Sequence, residues 1–511
     1  MDNLAAYTAV PYEGQVTAQT DPDNLAVVGT LLGLSPVALS EARTLEIGCA
    51  DGGNLVPMAG RFPTASFVGL DLTPSLIERA QAYSNRAGLT NIDWLAADIS
   101  DPELDLGPFD YIIVHGVWSW VPPAVRTAIL RRCADWLSPN GLATISYNVW
   151  PGWSLRSPMR GMLAWHANHA PDAEQRIARA RQLATWLTDL PTNRRLLGSA
   201  MRGELADVAD MTDWYLFHEH LAKDNHPVWF HEFAALAAEN GLEYVGDAEF
   251  ADMVPVDLPS DVQDGLEALA TDRLSYEQYL DFARERAFRR TVVAPAGTAV
   301  DYGVNSDRLA GLHVGGRLFF AADWTDDDEP QGVTCWPMGV RPKTPDGLVG
   351  FVALNQPHKQ MWRRIADAWP STISVVDAIA GLEDDQGLRQ QLLIAYLQHG
   401  VRLFTQPRVS HGVTERPCAR QAVRAEAHLE REWLTTAWHR SLGASDMDRA
   451  LLRILNGEHT VETIAADMQR SFSRGTLPVP KDLGDTGLEH VRQWLDTRLS
   501  AYANALLLEH P

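Results

Sequence analysis

The amino-acid sequence predicts an α/β fold built on a doubly wound, mostly parallel β-sheet. From residue 43 to about residue 149, short apolar segments alternate with amphipathic ones, and glycines or prolines stand at several boundaries between them. Strands that alternate with helices imply right-handed crossovers and parallel pairing, with ligands bound at the carboxyl ends of the strands. At 511 residues the chain is too long for one compact core, so we expect additional domains.

Five strands and three helices follow one another in this part of the chain. The first strand is RTLEIG (43–48), and a glycine-bearing turn leads from it into a helix near 54–61. The later helices begin at prolines and end near Gly88 and Gly141, which are typical helix boundaries. The other strands are predicted at 66–72, 92–98, 109–116 and 141–149, and the other helices at 74–89 and 122–141.

Helices predominate after Val149, and two more strands complete a predicted sheet of seven. We place these strands at 242–250 and 287–297, separated by a helical excursion from about 260 to 285. The intervening segments form a helical insert of the sheet domain, with its clearest amphipathic helix at PDAEQRIARARQLATWLTDLP. The sheet domain is therefore expected to extend to residue 297.

A different pattern begins at residue 298. The strings RLFFAAD and VTCWPMG flank an acidic turn, which predicts a hairpin, and 357–407 show a winged-helix-like order of three helices and a strand. Positive and negative charges nearly balance there, which favours a protein contact over DNA. The expected domains are an N-terminal cap over the ligand site (1–42), the sheet domain with an insert at about 151–285 (43–297), a hairpin and winged-helix-like domain (298–410) and a mostly helical domain (411–511).

The composition disfavours several classes of protein. The net charge of −23 argues against nucleic acid as a partner, because phosphate binding requires a basic surface. No apolar run approaches the ~20 residues that span a bilayer, and the N-terminal residues lack the pattern of a signal peptide. The four cysteines are far apart, which fits reduced thiols and argues against zinc. We therefore expect a cytoplasmic protein without nucleic acid, membrane span or metal.

The first strand leads into a loop, EIGCADGGN (46–54), that is suited to a nucleotide-like ligand. Its glycines let the backbone approach a ligand at the start of a helix. The loop alone fits both a degenerate dinucleotide fingerprint and an S-adenosylmethionine site. Glu46 favours the second, because a carboxylate two residues before Gly48 can hold the ammonium group of the methionine. A dinucleotide site would normally have an apolar residue at that position.

Acidic residues also stand at the ends of the next two strands. Asp71 can accept hydrogen bonds from both ribose hydroxyls, and Asp98 can accept one from the adenine amino group. Each acid taken alone is better explained as a solvated strand end, but together with the loop they predict a cofactor site. The residues expected to bind S-adenosylmethionine are Glu46, Gly48, Ala50, Gly52, Asn54, Asp71, Leu72, Asp98, Ile99 and His115.

The methyl acceptor should approach where the fourth and fifth strands end. Methyl transfer is an in-line displacement, so the enzyme gains mainly by positioning the nucleophile and removing water. Trp118, Trp120, Tyr147 and Asn148 follow these strands and could wall a channel for a cationic amine, and we take them as the candidate catalytic residues. The alternative for the aromatic residues is that they pack the sheet domain against the helical insert.

Several long strings resemble one family, the class I methyltransferases that carry a methyltransferase regulatory domain. This family includes rickettsial-type protein lysine methyltransferases, so the resemblance implies N-methylation of lysine side chains on a protein. Asp21 departs from the pattern, since the resemblance leads us to expect histidine there. The strings are LEIGCADGGNLVPMA (45–59), YIIVHGVWSWVP (111–122), SYNVWPGW (146–153), FHEHLAKDNHPVWFHEFAALAAENGLEYVGDAEF (217–250) and EQYLDFARERAFRRT (277–291).

Other functions stay open on the residues alone. The acceptor could instead be a modified peptide or a natural-product amine, hydroxyl or carboxylate, because the fold and cofactor site do not determine the acceptor. A non-catalytic scaffold is a third alternative, against which the intact cofactor loop counts. The expected partners are a protein or peptide substrate and a second copy of the chain. We also expect a chain ending near Gly297 to keep cofactor binding, although it could expose apolar surface and aggregate.

Overall fold

The largest element of the protein is a seven-stranded β-sheet. A computed structural model describes residues 8–10, 12–154, 156–168, 170–189, 196–322, 324–325, 329–335, 349–429 and 431–510. The strands of the sheet are β1 (Arg43–Ile47), β2 (Ser66–Asp71), β3 (Ile92–Ala96), β4 (Phe109–Val114), β5 (Leu137–Asn148), β6 (Leu242–Asp247) and β7 (Phe288–Pro295).

The sheet has the strand order β3-β2-β1-β4-β5-β7-β6. Strands β1 to β5 pair in parallel, and β7 runs antiparallel to both of its neighbours. The strand order reverses between β1 and β4, so a crevice opens beyond the carboxyl ends of these two strands. The predicted doubly wound, mostly parallel, seven-stranded sheet is confirmed.

Helices cover both faces of the sheet, with one boundary different from the prediction. The helix expected over 122–141 ends at Trp136, and β5 begins at Leu137. Ser138 precedes Pro139, and a residue before proline disfavours the helical conformation. The helices up to β7 are Pro22–Leu31, Leu55–Arg61, Pro74–Arg86, Pro123–Trp136, Arg156–Ala167, Ala173–Asp189, Leu196–Asp210, Asp213–His220, Phe230–Glu239, Ser260–Leu269 and Arg273–Ala283.

The middle of the chain contains the hairpin expected after residue 298. Strand Leu318–Phe320 pairs antiparallel with Gln331–Cys335, which pairs with Val349–Ala353. Most of the acidic turn, and the end of the VTCWPMG string, lie outside the described residues. The elements that follow have the order helix, helix, helix, strand. They are Gln356–Ala368, Val375–Ile379, Asp385–Leu397 and Arg402–Phe404, with short strands at His313–Gly315 and Ile373–Ser374.

The C-terminal part combines helices with a small hairpin. Strands Trp433–Thr435 and Ser441–Gly443 pair antiparallel, and the turn between them faces the sheet domain. Among the described residues, no helix has the length and apolar character needed to cross a membrane. The helices are Gln421–Glu426, Asp446–Ile454, Val461–Arg474 and Leu488–Asn504, and a further strand pair joins Cys418–Ala419 to Leu508–Glu509.

One apolar core runs from the sheet into the middle of the chain. Buried Ile113 of β4 and Val292 of β7 belong to the same cluster as Val314, Trp362 and Leu403. The other face of the sheet has its own cluster, and the helical insert and the C-terminal helices have one each. The segment after residue 298 is therefore packed onto the sheet domain, and the domain limits given above stay proposals.

Candidate cofactor and acceptor site

A cavity of about 480 Å³ opens at the carboxyl ends of β1, β2 and β4. Nine of the ten predicted cofactor residues line it, and Gly52 is the exception. The lining residues are Tyr12, Gly14, Gln15, Thr17, Glu46, Ile47, Gly48, Cys49, Ala50, Asn54, Leu70, Asp71, Leu72, Thr73, Leu76, Ala97, Asp98, Ile99, His115, Gly116, Val117, Trp120, Val121, Pro122, Val125, Lys223 and Asp224.

Two glycines shape the loop after β1. Gly48 and Gly52 both have φ of +77°, a left-handed conformation that glycine adopts without strain. A Cβ atom on Gly48 would lie 2.3 Å from the Val117 side chain, and one on Gly52 would lie 2.7 Å from the Trp94 ring. Gly48 therefore keeps the cavity wall open, whereas Gly52 lets the loop pack on β3.

Glu46 brings a buried carboxylate to the cavity. Its Oε1 accepts a hydrogen bond of 2.7 Å from Asn54 Nδ2, and its Oε2 is buried without a partner among the described residues. Burial raises the pKa of Glu46 to about 7, and the Asp71 charge contributes in the same direction. A buried acceptor without a partner is costly, so this oxygen is suited to a cationic hydrogen-bond donor from a ligand.

Asp71 and Asp98 lie at the ends of neighbouring strands on the same side of the cavity. Asp71 accepts hydrogen bonds from the backbone amides of Ala50 (3.0 Å) and Thr73 (2.8 Å), which ties the loop to β2. Burial raises the pKa of Asp71. Asp98 is exposed and accepts from Ser100. Each carboxylate keeps further acceptor capacity toward the cavity.

The charge of the cavity favours a cationic ligand. Four carboxylates line it, from Glu46, Asp71, Asp98 and Asp224, against the single ammonium of Lys223. A cleft lined by one sign of charge attracts the opposite sign. This arrangement fits a nucleoside that carries a sulfonium and an ammonium, and it disfavours a dinucleotide with two phosphates. The charge of the cavity thus supports S-adenosylmethionine over a dinucleotide, as Glu46 did in the sequence.

His115 follows β4 and lines the cavity. Burial, with help from the Arg290 charge, lowers the pKa of His115 to about 3. Its ring packs edge-on against Phe288 at a centroid distance of 6.0 Å. An imidazole with so low a pKa accepts a proton weakly near neutral pH.

The structure separates the four residues predicted to form the acceptor channel. Trp120 lines the cavity, whereas Trp118 and Tyr147 are each 1 % exposed and lie in the core. Tyr147 stacks on Phe233 at 4.0 Å and its hydroxyl hydrogen-bonds Thr291 over 2.7 Å. Trp118 packs against the same two rings. These contacts correct the expectation of a channel wall, because the helix Phe230–Glu239 covers this side of β5.

Asn148 also departs from the expectation, since it is absent from the cavity lining. It is 2 % exposed, and its Nδ2 donates a hydrogen bond of 3.1 Å to Asn225. Its backbone amide donates to Ser119 Oγ over 2.9 Å. Asn148 thereby connects the end of β5 to the segment that carries Lys223 and Asp224.

Asp21 lies in a buried ion cluster beside the cavity. Both its oxygens accept hydrogen bonds from Arg61, at 2.8 and 2.9 Å. Burial alone would raise the pKa of Asp21, but the charges of Arg61 and Arg408 hold it well below its usual range. Asp21 is absent from the cavity wall, so at this position the chain has a structural ion pair rather than a ligand contact.

The histidines of the family string have separate neighbours. His218 hydrogen-bonds the Val10 carbonyl at 2.6 Å, His231 bonds Gln278, and His226 lies 3.3 Å from Asp224. Among the residues that the structure describes, no group of three or more potential ligands is arranged to hold a metal ion.

Residues from two distant segments were missed by the sequence analysis. The N-terminal segment contributes Tyr12, Gln15 and Thr17 to the cavity wall, and the insert contributes Lys223 and Asp224. Neither segment carries a recognisable nucleotide-binding motif. The cap expected at 1–42 includes the three N-terminal residues without singling them out, and the family string 217–250 includes Lys223 and Asp224.

Three family models match separate parts of the chain. One described as a methyltransferase domain matches residues 44–141, and one described as a predicted methyltransferase regulatory domain matches 212–294. A third, described as the PKMT C-terminal winged helix domain, matches 415–507. This third match lies in the segment 411–511, which we expected to be mostly helical. It does not include 357–407, where we predicted the winged-helix-like order of elements.

Two relatives come from Rickettsia prowazekii. The uncharacterized protein RP789 is 36 % identical over 309 residues, which cover 60 % of this chain and 56 % of that protein. The chain thus spans little more than half the length of this relative. The uncharacterized protein RP028 is 33 % identical over 232 residues, which cover 45 % of this chain and 93 % of that protein.

A solved structure, PKMT2 from Rickettsia typhi, is similar over almost the whole chain. The identity is 25 %, the TM-score is 0.84, and the match covers 98 % of this chain and all of PKMT2. A second structure of PKMT2, in complex with AdoHcy, matches with a TM-score of 0.83. The chain therefore belongs to the class I S-adenosylmethionine-dependent methyltransferases that carry a methyltransferase regulatory domain.

Proposed function

We propose that the protein N-methylates lysine side chains of a protein substrate, with S-adenosylmethionine held at the strand ends described above. The observation that carries this proposal is one cavity whose lining combines acidic strand ends with an apolar wall. The lining includes Glu46, Asp71 and Asp98, and also Trp120, Val121, Pro122 and Val125, which we call the mouth of the cavity. The carboxylates suit a cationic nucleoside, and the aromatic ring of the mouth suits a cationic side chain.

In this proposal, three carboxylates bind different groups of the cofactor. The unpartnered Oε2 of Glu46 accepts hydrogens from the methionine ammonium group. Asp71 accepts the ribose hydroxyls, and Asp98 accepts the adenine amino group, with Leu72 and Ile99 beside the base. Gly48, Ala50 and Asn54 bring the loop backbone close to the ligand, and Gly52 supports that loop from behind.

The mouth of the cavity prepares the acceptor amine. When bound, S-adenosylmethionine supplies an electrophilic methyl group on a sulfonium. Val121, Pro122 and Val125 form an apolar wall next to Trp120, and Asp224 adds a carboxylate to the cavity lining. An apolar channel disfavours the charged form of an amine, so it lowers the lysine pKa from its ordinary value of about 10.4. These residues therefore orient the amine and exclude water.

The amine loses its proton without a dedicated base in this proposal. His115 has a pKa of about 3, because it is buried and close to Arg290, so it is a weak proton acceptor. Desolvation of the entering amine lets the proton leave to water before transfer. His115 is then a wall on the cofactor side.

The similarity to PKMT2 supports protein as the acceptor. That similarity extends over 98 % of the chain, including the parts that form the mouth of the cavity. Methyltransferases with small-molecule acceptors share the sheet, but acceptor choice depends on residues outside it.

The proposal is tested by the fate of labelled methyl groups. A bacterial extract is incubated with the protein and isotopically labelled S-adenosylmethionine, and protein is separated from small molecules. We expect label in the protein fraction that survives mild alkali, since N-methyl groups are stable where methyl esters hydrolyse. A reaction without the protein serves as the blank. Label confined to small molecules, or lost in alkali, would refute the proposal.

A further inference from the structure

We propose that His439, at the tip of the hairpin formed by Trp433–Thr435 and Ser441–Gly443, is a positioning residue for Glu46. The inference rests on the proposed role of Glu46 toward the methionine ammonium group. His439 is 385 residues distant from Asn54 in the chain, yet the two side chains are in contact. The C-terminal hairpin therefore takes part in shaping the cofactor site.

Two hydrogen bonds connect His439 to Glu46. His439 Nε2 lies 2.8 Å from Asn54 Oδ1, and Asn54 Nδ2 lies 2.7 Å from Glu46 Oε1. The backbone amide of Thr17 donates to Asn54 Oδ1 over 3.2 Å, so the Asn54 amide presents its oxygen to Thr17 and His439 and its nitrogen to Glu46. His439 must then donate from Nε2. The relay leaves Glu46 Oε2 directed at no other described residue and available to the ligand.

His439 is a neutral hydrogen-bond donor whose position is fixed by the surrounding contacts. Burial, with the Arg61 charge adding to it, lowers the pKa of His439 to about 3, so the ring stays neutral near physiological pH. His439 is fully buried and has φ of +52°, in the left-handed region, where the backbone of a non-glycine residue is strained. The surrounding contacts hold it there, as expected for a side chain whose position matters.

A second contact from the same segment holds the loop independently. Arg431 lies just before the hairpin, and its guanidinium is 2.7 Å from Asp51 Oδ2. Both side chains are almost fully buried, with 4 % and 2 % exposed. Asp51 also accepts the backbone amide of Gly14 at 3.0 Å. The cofactor loop is thus held between the N-terminal segment and the C-terminal hairpin.

The relay predicts that loss of the His439 donor affects only ligands that reach Glu46. S-adenosylhomocysteine carries the amino-acid group, whereas 5′-methylthioadenosine has the same nucleoside without it. Titration calorimetry of the full-length protein should show on the order of ten-fold weaker S-adenosylhomocysteine binding for His439→Leu. Binding of 5′-methylthioadenosine should stay unchanged. His439→Gln keeps an N–H donor and should recover most of the affinity.

Controls separate positioning from packing and from failure of the Glu46 role. His428→Leu removes an exposed histidine from the same module and should change neither ligand. If His439→Leu weakens the binding of both ligands equally, or weakens the binding of neither, the relay is wrong. If His439→Leu does not fold, His439→Asn, which is too short to reach Asn54, replaces it. If Glu46→Gln itself fails to discriminate between the ligands, the role of Glu46 and the relay are both wrong.

Discussion

Glu46 combines burial with a role that needs negative charge. Burial raises its pKa to about 7, with the Asp71 charge as a further cause, so the carboxyl is about half protonated at neutral pH before ligand binds. An ammonium group favours the ionised form, so binding releases the proton. The ligand and the proton therefore compete for this one side chain.

This competition predicts a pH-dependent affinity. As pH falls through 7 the free carboxyl takes up a proton that ligand binding must remove, so affinity for S-adenosylhomocysteine should fall by up to about ten-fold per pH unit. Calorimetry between about pH 5.5 and 7.5 should show this slope for the wild type and none for Glu46→Gln. 5′-Methylthioadenosine should show a weaker dependence than S-adenosylhomocysteine. Equal slopes for the two ligands would contradict the assignment.

At the scale of the element, the two tryptophans of the short 3₁₀ turn Trp118–Trp120 after β4 have different surroundings. Trp118 packs edge-on against the stacked rings of Tyr147 and Phe233 in the core, while Trp120 lines the cavity. Arg160 lies over the Trp120 ring at 5.5 Å, so this ring already has a cation as a neighbour. The two residues thus provide a matched pair for testing the acceptor mouth.

Alanine at each position should give opposite results. Trp120→Ala should lower methyl transfer by about ten-fold or more while S-adenosylhomocysteine affinity and melting temperature change little, because only acceptor positioning is lost. Trp118→Ala should cost about 3–5 kcal/mol in the free energy of unfolding, because a large core ring is removed. Kinetics and denaturant unfolding of both variants check this. A fully active Trp120→Ala protein would remove it from the site.

At the scale of the whole molecule, the cofactor loop depends on distant parts of the chain. Arg431 and His439 reach the loop from the C-terminal module, and one core cluster joins the sheet to residues such as Trp362 and Leu403. The sequence led us to expect a chain ending at Gly297 to bind cofactor unaided. These contacts change that expectation.

A chain ending at Gly297 should keep all seven strands and lose the contacts to the loop. We expect it either to aggregate through its uncovered apolar face or to bind S-adenosylhomocysteine at least about ten-fold more weakly. Calorimetry compares the S-adenosylhomocysteine affinity of the truncated chain with that of the full-length protein. The affinity of full-length Arg431→Ala, a milder change, should lie between these two values. Full affinity in a soluble truncated chain would contradict a structural role for the C-terminal module.

The predictable parts of the protein are local in the chain. The seven strands, the acidic strand ends and the glycine loop could be predicted because each depends on residue type and short spacing, and nine of ten proposed cofactor residues line the cavity. Trp118 and Tyr147 were misjudged because periodicity cannot tell which face of β5 the helix Phe230–Glu239 covers. Arg431 and His439 could not be found, since their contacts join segments almost 400 residues apart.

The most direct test of lysine methylation identifies the residue that carries the methyl group. Proteins labelled by the wild-type enzyme and isotopic S-adenosylmethionine are digested and sequenced by mass spectrometry, with a reaction lacking the enzyme as the blank. We expect label on the side-chain nitrogen of lysines, present with the enzyme and absent from the blank. Label on glutamate or aspartate carboxylates, on hydroxyls, or on no protein residue at all would contradict it.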